Sequence, residues 1–134
     1  MNQTMTAFDA ARRAVFVLLE KKGLDVRLYA IADLCGFADY AAVATARSQR
    51  QLEALAGDVA DAMHEAGIPA RLEGGRGGNW FLVDAGEVII HLFDTAGRQF
   101  YAMDRMYAEG AVDIADIRVE VDKKFTTVNY EEKE

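Results

Sequence analysis

Residues 80–93 read Trp80-Phe81-Leu82-Val83-Asp84-Ala85-Gly86-Glu87-Val88-Ile89-Ile90-His91-Leu92-Phe93, and the fold turns on how this stretch is paired. Two apolar runs, Asn79 to Asp84 and Glu87 to Phe93, are separated only by Ala85-Gly86, which predicts a tight β-hairpin. With those two residues as the turn, Asp84 faces Glu87, Leu82 faces Ile89 and Trp80 faces His91. Strand side chains alternate between faces, so Phe81, Val83, Val88, Ile90 and Leu92 share one wholly apolar side that packs on helices. The other side carries Trp80, Leu82, Asp84, Glu87, Ile89, His91 and Phe93. That mixture is too apolar for a solvated face and too polar for a core, and it has the composition of an interface centre, where aromatics are enriched. The competing expectation is that the following helix or the C-terminal tail covers this face within the same chain.

Outward from the hairpin, helical and strand periods alternate. From Thr4 to Lys22 the residues Phe8, Ala11, Val15, Leu18 and Leu19 recur at helical spacing, with Thr4 or Thr6 as cap and Gly23 as stop. Leu24 to Ile31 reads as a strand. Tyr40 to Thr45 reads as another, and its unbroken Ala41-Ala42-Val43-Ala44 predicts a central strand buried on both sides. Ser48 followed by Gln51 has the spacing of a capping box, and it opens a helix with the stripe Leu52, Leu55, Ala56, Val59 and Met63. Gly67 and Pro69 end that helix. Ala70 to Glu73 is a short strand leading into the Gly74-Gly75-Arg76-Gly77-Gly78 loop. A third helix is expected from Gly97 to about Glu109, with Phe100, Met103 and Tyr107 on one side and Tyr101 and Asp104 on an adjacent one. The order gives a single α/β domain with a mixed five-stranded sheet and flanking helices. From Ala111 the chain is expected to be an acidic extension. It holds seven acidic and four basic residues, Ile117, Val119 and Val121 alternate like an edge strand, and Asn129 to Glu134 reads as disordered.

Composition narrows function by exclusion. The 134 residues suit one domain, and 22 acidic against 15 basic residues leave a net charge of −7. That balance disfavours unassisted binding to a phosphate backbone and favours a basic protein partner. Cys35 has no second cysteine to pair with, which fits a reducing compartment such as the cytoplasm. No apolar run approaches the about 20 residues of a membrane helix. The glycine loop lacks the Lys-Ser/Thr that a phosphate-cradling loop needs. His64 and His91 are the only histidines, so neither a metal nor a cofactor is expected. No nucleophile–base pair is visible and no catalytic residue is assigned. Two alternatives stay open: a nucleotidyltransferase-like enzyme using the dispersed carboxylates Asp25, Asp39 and Asp84, and a homodimeric module that buries the mixed face in its own interface.

Four stretches carry a family resemblance. They are Leu24-Asp25-Val26, Ala38-Asp39-Tyr40, Ser48-x-Arg50-Gln51, and the run from Glu73-Gly74 to Tyr107. That run includes Trp80-x-x-x-Asp84-x-Gly86-Glu87-Val88-Ile89-Ile90-His91-Leu92-Phe93 and Arg98-x-Phe100-Tyr101-x-Met103-Asp104-Arg105-Met106-Tyr107. Over Phe8 to Tyr107 the chain resembles the Iojap family, also called the ribosomal silencing factors. The resemblance implies a mixed-sheet fold related to nucleotidyltransferases but without their catalytic carboxylates, occupying residues 1–110, with 111–134 as an extension. It implies a non-enzymatic factor that binds the large ribosomal subunit at ribosomal protein uL fourteen, blocks joining of the small subunit and represses translation when nutrients are scarce. The family's partner-facing positions fall here on Trp80, Asp84, His91, Phe93, Tyr101, Met103 and Asp104. The chain departs from the family pattern at Glu87, at Met106-Tyr107 and at Ala46-Arg47.

Overall fold

The structure is a computed structural model that describes residues 5–75 and 78–132, the last seven of these as backbone only. The candidate cap Thr4, the loop residues Arg76 and Gly77, and Lys133 and Glu134 lie outside the described residues.

The central strand sits where its sequence placed it. β1 (Leu24–Ala30), β2 (Tyr40–Thr45), β3 (Arg71–Gly74), β4 (Trp80–Asp84), β5 (Val88–Phe93) and β6 (Ala111–Val112) form one sheet in the order β3-β4-β5-β2-β1-β6. β2 runs parallel to β5, and the other pairs are antiparallel. Ala42 and Ala44 join the core on one side of the sheet while Ala41 and Val43 join the core on the other. Small side chains are what a strand between two packed layers accommodates. The sheet has six strands rather than the expected five, because Ala111-Val112 adds an edge to β1.

One side of the sheet is covered by α1 (Ala7–Glu20), α2 (Gln49–Glu65) and a long C-terminal helix (Ala115–Glu132). Thr6 and Asp9 form a reciprocal capping box on α1. The left-handed residue that ends α1 is Lys22, at φ 70°, one before the expected Gly23. On α2 the Ser48 hydroxyl accepts from the Gln51 amide at 3.1 Å, but the Gln51 side chain accepts from Arg47 instead of closing the box. All five residues of the α2 stripe are buried. Its exit is a Schellman turn, with Gly67 at φ 79° and the Ile68 amide donating to the Met63 carbonyl. Phe81, Val83, Val88, Ile90 and Leu92 pack into this helical layer as expected.

Three expectations fail. The hairpin pairs Trp80 with Phe93, Leu82 with His91 and Asp84 with Ile89, so the turn residues are Gly86-Glu87 and not Ala85-Gly86. A tight turn of this kind needs a positive φ at its first central position, which Gly86 supplies at 80° and an alanine resists. Asp84 Oδ1 accepts from the Gly86 amide at 3.0 Å and holds that register. The slide is two residues, so every strand side chain keeps its predicted face. The third helix is broken: α3 (Thr95–Tyr101) ends at Ala102, which is left-handed at φ 53°, and a single-turn α4 (Met103–Met106) follows, then a 3-10 turn (Ala108–Gly110). Finally, Ile117, Val119 and Val121 lie in the helix α5 (Ala115–Glu132) and not in a strand. Of the stretch Asn129 to Glu134 expected to be disordered, residues 129–132 continue that helix, and Lys133 and Glu134 lie outside the described residues. Ile117 is 1% and Val121 5% exposed while Val119 is 50% exposed, a helical i, i+4 pair whose alternate spacing also fits a strand. Asp116 and Glu120 pair with Arg12 of α1, and Lys124 pairs with Glu20.

Candidate interaction site

The chain leaves β5, turns through α3 and α4, and crosses the sheet face opposite the long helices. Asp94 caps α3 through a 2.7 Å bond to the Gly97 amide, and Gly97 has no room for a Cβ against the Asn79 carbonyl. Beneath this crossing segment lies a second core of Tyr29, Ile31, Ala41, Val43, Ile89, Phe93 and Tyr107, with Trp80, Leu82 and Met103 packed at its rim.

His91 occupies the middle of this layer. Trp80 Nε1 donates to His91 Nδ1 at 3.3 Å, and His91 Nε2 lies 3.1 Å from the Tyr107 hydroxyl. An indole N–H can only donate, so Nδ1 must accept and the neutral ring carries its proton on Nε2, aimed at Tyr107. Burial lowers the His91 pKa from 6.5 to about 4, opposed in part by the charge of Asp104. Burial also raises the Tyr107 hydroxyl above its ordinary range. The sequence placed His91 and Phe93 on an exposed surface, and the structure corrects this: His91 is 5% and Phe93 0% exposed. The Ile89–His91–Phe93 part of the mixed face is covered by its own chain, because Tyr107 and Met103 of the crossing segment close over it, while Trp80, Leu82 and Asp84 stay half-buried.

What reaches solvent is the layer above. Tyr101 packs against Trp80 with ring centroids 4.4 Å apart and planes tilted by 46°, stacks on Phe93 at 5.6 Å, and meets Phe100 in a T-shaped contact at 4.9 Å. Phe100 is 76%, Met106 61% and Tyr101 37% exposed, with Trp80 and Leu82 half-buried beside them. The break at Ala102 produces this division, because it rotates Phe100 outward while Tyr107 turns in. An unbroken helix would have put both on one side.

Asp104 serves the same break. Its carboxylate accepts from Arg98 Nε at 2.6 Å and Nη2 at 2.9 Å, and from the Tyr29 hydroxyl at 2.6 Å. Arg98 also donates to Thr45 Oγ1 at 2.8 Å and to the Asp25 carbonyl at 3.0 Å. Desolvation pushes the Asp104 carboxyl up, but the hydrogen bonds from Arg98 and Tyr29 outweigh it and hold the pKa below the usual range. For the Tyr29 hydroxyl, burial and then the Asp104 bond push the pKa up. Asp84, by contrast, holds the hairpin turn and stands apart from the aromatic cluster.

Of the seven predicted positions, Trp80, His91, Phe93, Tyr101, Met103 and Asp104 gather around one layer, two of them buried. Arg98, Tyr29 and Thr45 join the site without being among those positions, and Tyr107, expected only on a helix face beside Phe100 and Met103, joins it as the partner of His91. Arg98 was visible in the Arg98-x-Phe100-Tyr101 run, but nothing local marks Tyr29 or Thr45, which enter through strand pairing. His64 sits on the outside of α2, with Nε2 3.1 Å from the Ala70 carbonyl. Asp39 and Asp84 lie near the starts of β2 and β5, while Asp25 lies at the other end of the sheet. Among the described residues no three His, Cys, Asp or Glu side chains converge as a metal site, and no helix is long and apolar enough to cross a membrane.

The model of the family described as "Ribosomal silencing factor during starvation" matches residues 4–134, so the match includes the segment after Ala111. The chain is 35% identical over 112 residues to the ribosomal silencing factor RsfS of Zymomonas mobilis, covering 81% of this chain and 84% of that one. It is 33% identical over 100 residues to the RsfS of Chromobacterium violaceum, covering 74% and 82%. Among solved structures, a Chromobacterium violaceum protein superposes with a TM-score of 0.75 at 32% identity, over 83% of this chain and 97% of that one. A Bacillus halodurans protein does so with a TM-score of 0.67 at 26% identity, over 76% and 94%. Family model, relatives and fold agree, and the chain belongs to the Iojap family of ribosomal silencing factors.

Proposed function

We propose that this protein is a cytoplasmic, non-enzymatic translation repressor that binds the large ribosomal subunit at ribosomal protein uL fourteen. Seated there, it blocks the approach of the small subunit and so represses translation when nutrients are scarce. The contact is centred on Tyr101, Trp80 and Met103, with His91, Phe93 and Asp104 acting from below as its support and Asp84 at its margin. The observation that carries this reading is the layer of exposed Phe100 and Tyr101 beside half-buried Trp80, on a buried, hydrogen-bonded base. Rigid aromatics lose little side-chain entropy on docking, and each one buried against a partner contributes about 1.5–3 kcal/mol. The reading takes the fold as one related to nucleotidyltransferases that does no chemistry. The separation of Asp25 from Asp39 and Asp84 along the sheet supports that.

Sedimentation of the purified protein with isolated large subunits tests the proposal. Wild type should pellet with them and lower the yield of joined ribosomes, and Tyr101→Ala should lose at least tenfold in affinity while melting normally. Failure of wild type to bind, or full binding by a folded Trp80→Ala/Tyr101→Ala double variant, would overturn it.

A further inference from the structure

The net charge of −7 conceals one local exception. Lys22 just beyond α1, Arg47 just before α2, and Arg118 in the first turns of α5 line a single groove, with Asp122 its only acidic lining residue. All three cations are exposed, and among the described residues none forms an ion pair. The neighbouring groove between α1, α2 and α5 differs. There Arg12 is held by Asp116 and Glu120, Arg13 by Glu65 and Lys124 by Glu20, so its charges are already answered from within.

The three cations are also positioned. Arg47 Nη1 donates to the Lys22 carbonyl at 3.3 Å, Arg118 Nη2 donates to the Val26 carbonyl at 3.4 Å, and the Lys22 ammonium rests 4.7 Å from the Phe125 ring centre. Each guanidinium spends one donor on the backbone and keeps the rest of its fork for a ligand, the geometry that suits a phosphate. The place matters too. Arg47 follows Ala46, whose amide bonds the Phe93 carbonyl at 2.8 Å, so the groove opens at the end of the sheet where α3 begins. Arg98 and Arg118 grip the adjacent β1 carbonyls of Asp25 and Val26, one from beneath the aromatic layer and one from the groove.

We propose that Lys22, Arg47 and Arg118 form a sequence-independent site for an RNA phosphate backbone, engaged while the aromatic layer meets its protein partner. This rests on the ribosome-binding reading, since it is a ribosomal surface that presents RNA phosphates beside protein. The groove supplies the salt-dependent part of the affinity and the aromatic layer the salt-independent part.

The test measures affinity for isolated large subunits across a range of salt, for wild type, Arg47→Gln/Arg118→Gln and Tyr101→Ala. Removing two phosphate contacts should flatten the slope of log affinity against log salt by about 2. Tyr101→Ala should weaken binding at an unchanged slope. A second arm uses a short protein-free RNA duplex at low salt, which wild type should retard and the double variant should not. An Arg47→Gln/Arg118→Gln slope equal to wild type would overturn the proposal. So would wild type failing to retard the duplex, which would assign the cations to an acidic protein patch. Loss of subunit binding by wild type itself would instead sink the functional reading, while the duplex arm would still report on the groove.

Discussion

Protonating His91 should unfold this protein from its second core outward. In the folded chain the ring is neutral, accepts from Trp80 and faces the Tyr107 hydroxyl. A proton on Nδ1 would set two donors against each other in a site 5% exposed. The folded pKa is lowered from 6.5 to about 4, so the unfolded chain binds the extra proton more readily than the folded one. Its contribution to stability is therefore fully present above pH 6.5 and is lost as the pH falls towards 4. Integrated between pH 7 and pH 4, the loss is about 3 kcal/mol, a large share of a typical domain's stability. Urea unfolding followed by circular dichroism at stepped pH reads this directly, with His91→Phe as the non-titrating control. The variant is less stable at neutral pH, because Trp80 and Tyr107 lose a partner, but its stability should be nearly level where that of wild type falls. Carboxylates common to both proteins, Asp104 included, cancel in the difference. A gap between the two curves that stays constant from pH 7 to pH 4 would mean that His91 is not held neutral by Trp80 and burial.

Arg98→Ala should red-shift the emission of Trp80, the only tryptophan, because the clamp on Asp104 keeps Tyr101 seated against the indole. With Arg98 11% and Asp104 31% exposed, the stability cost should be about 2–3 kcal/mol, below the roughly 3–5 kcal/mol of a fully buried pair. An unmoved emission spectrum would separate the clamp from the aromatic layer. Ala102→Gly should raise stability by up to about 1 kcal/mol by relieving a left-handed alanine, read as a higher denaturant midpoint. Ile117→Ala should cost about 2–5 kcal/mol in the same measurement, since α5 contributes that side chain to the main core. A cost near zero would mean that the helix is only loosely attached.

The sequence by itself determined much of what depends on local period and punctuation. The Ala41–Ala44 run marked a strand packed on both sides, Ser48 and Gly67 bounded α2, and alternation assigned the hairpin residues to their correct faces, all but Glu87, which lies in the turn. Those signals survive because they are properties of a few neighbouring residues. Recognition of the hairpin and helix motif supplied the family, and most of its positions do collect around one layer. The hairpin register is also a local matter, set by the one turn position that demands a positive φ, but two-residue turns at Ala85-Gly86 and at Gly86-Glu87 keep the same alternation, so periodicity alone does not separate them. Tertiary structure decided the rest. Whether residues 115–132 form a helix depended on Arg12 and the core waiting for Ile117, since their spacing suits either period. His91 is buried under Tyr107 and Met103 and Phe100 is exposed across a break at Ala102, beside which Arg98 bridges Thr45, Asp25 and Asp104, and contacts so distant in sequence leave no periodic trace. Net charge was the least informative quantity of all. It sums over the chain, whereas a phosphate would meet only Lys22, Arg47 and Arg118, brought together from three separate elements by the packing of α1, α2 and α5.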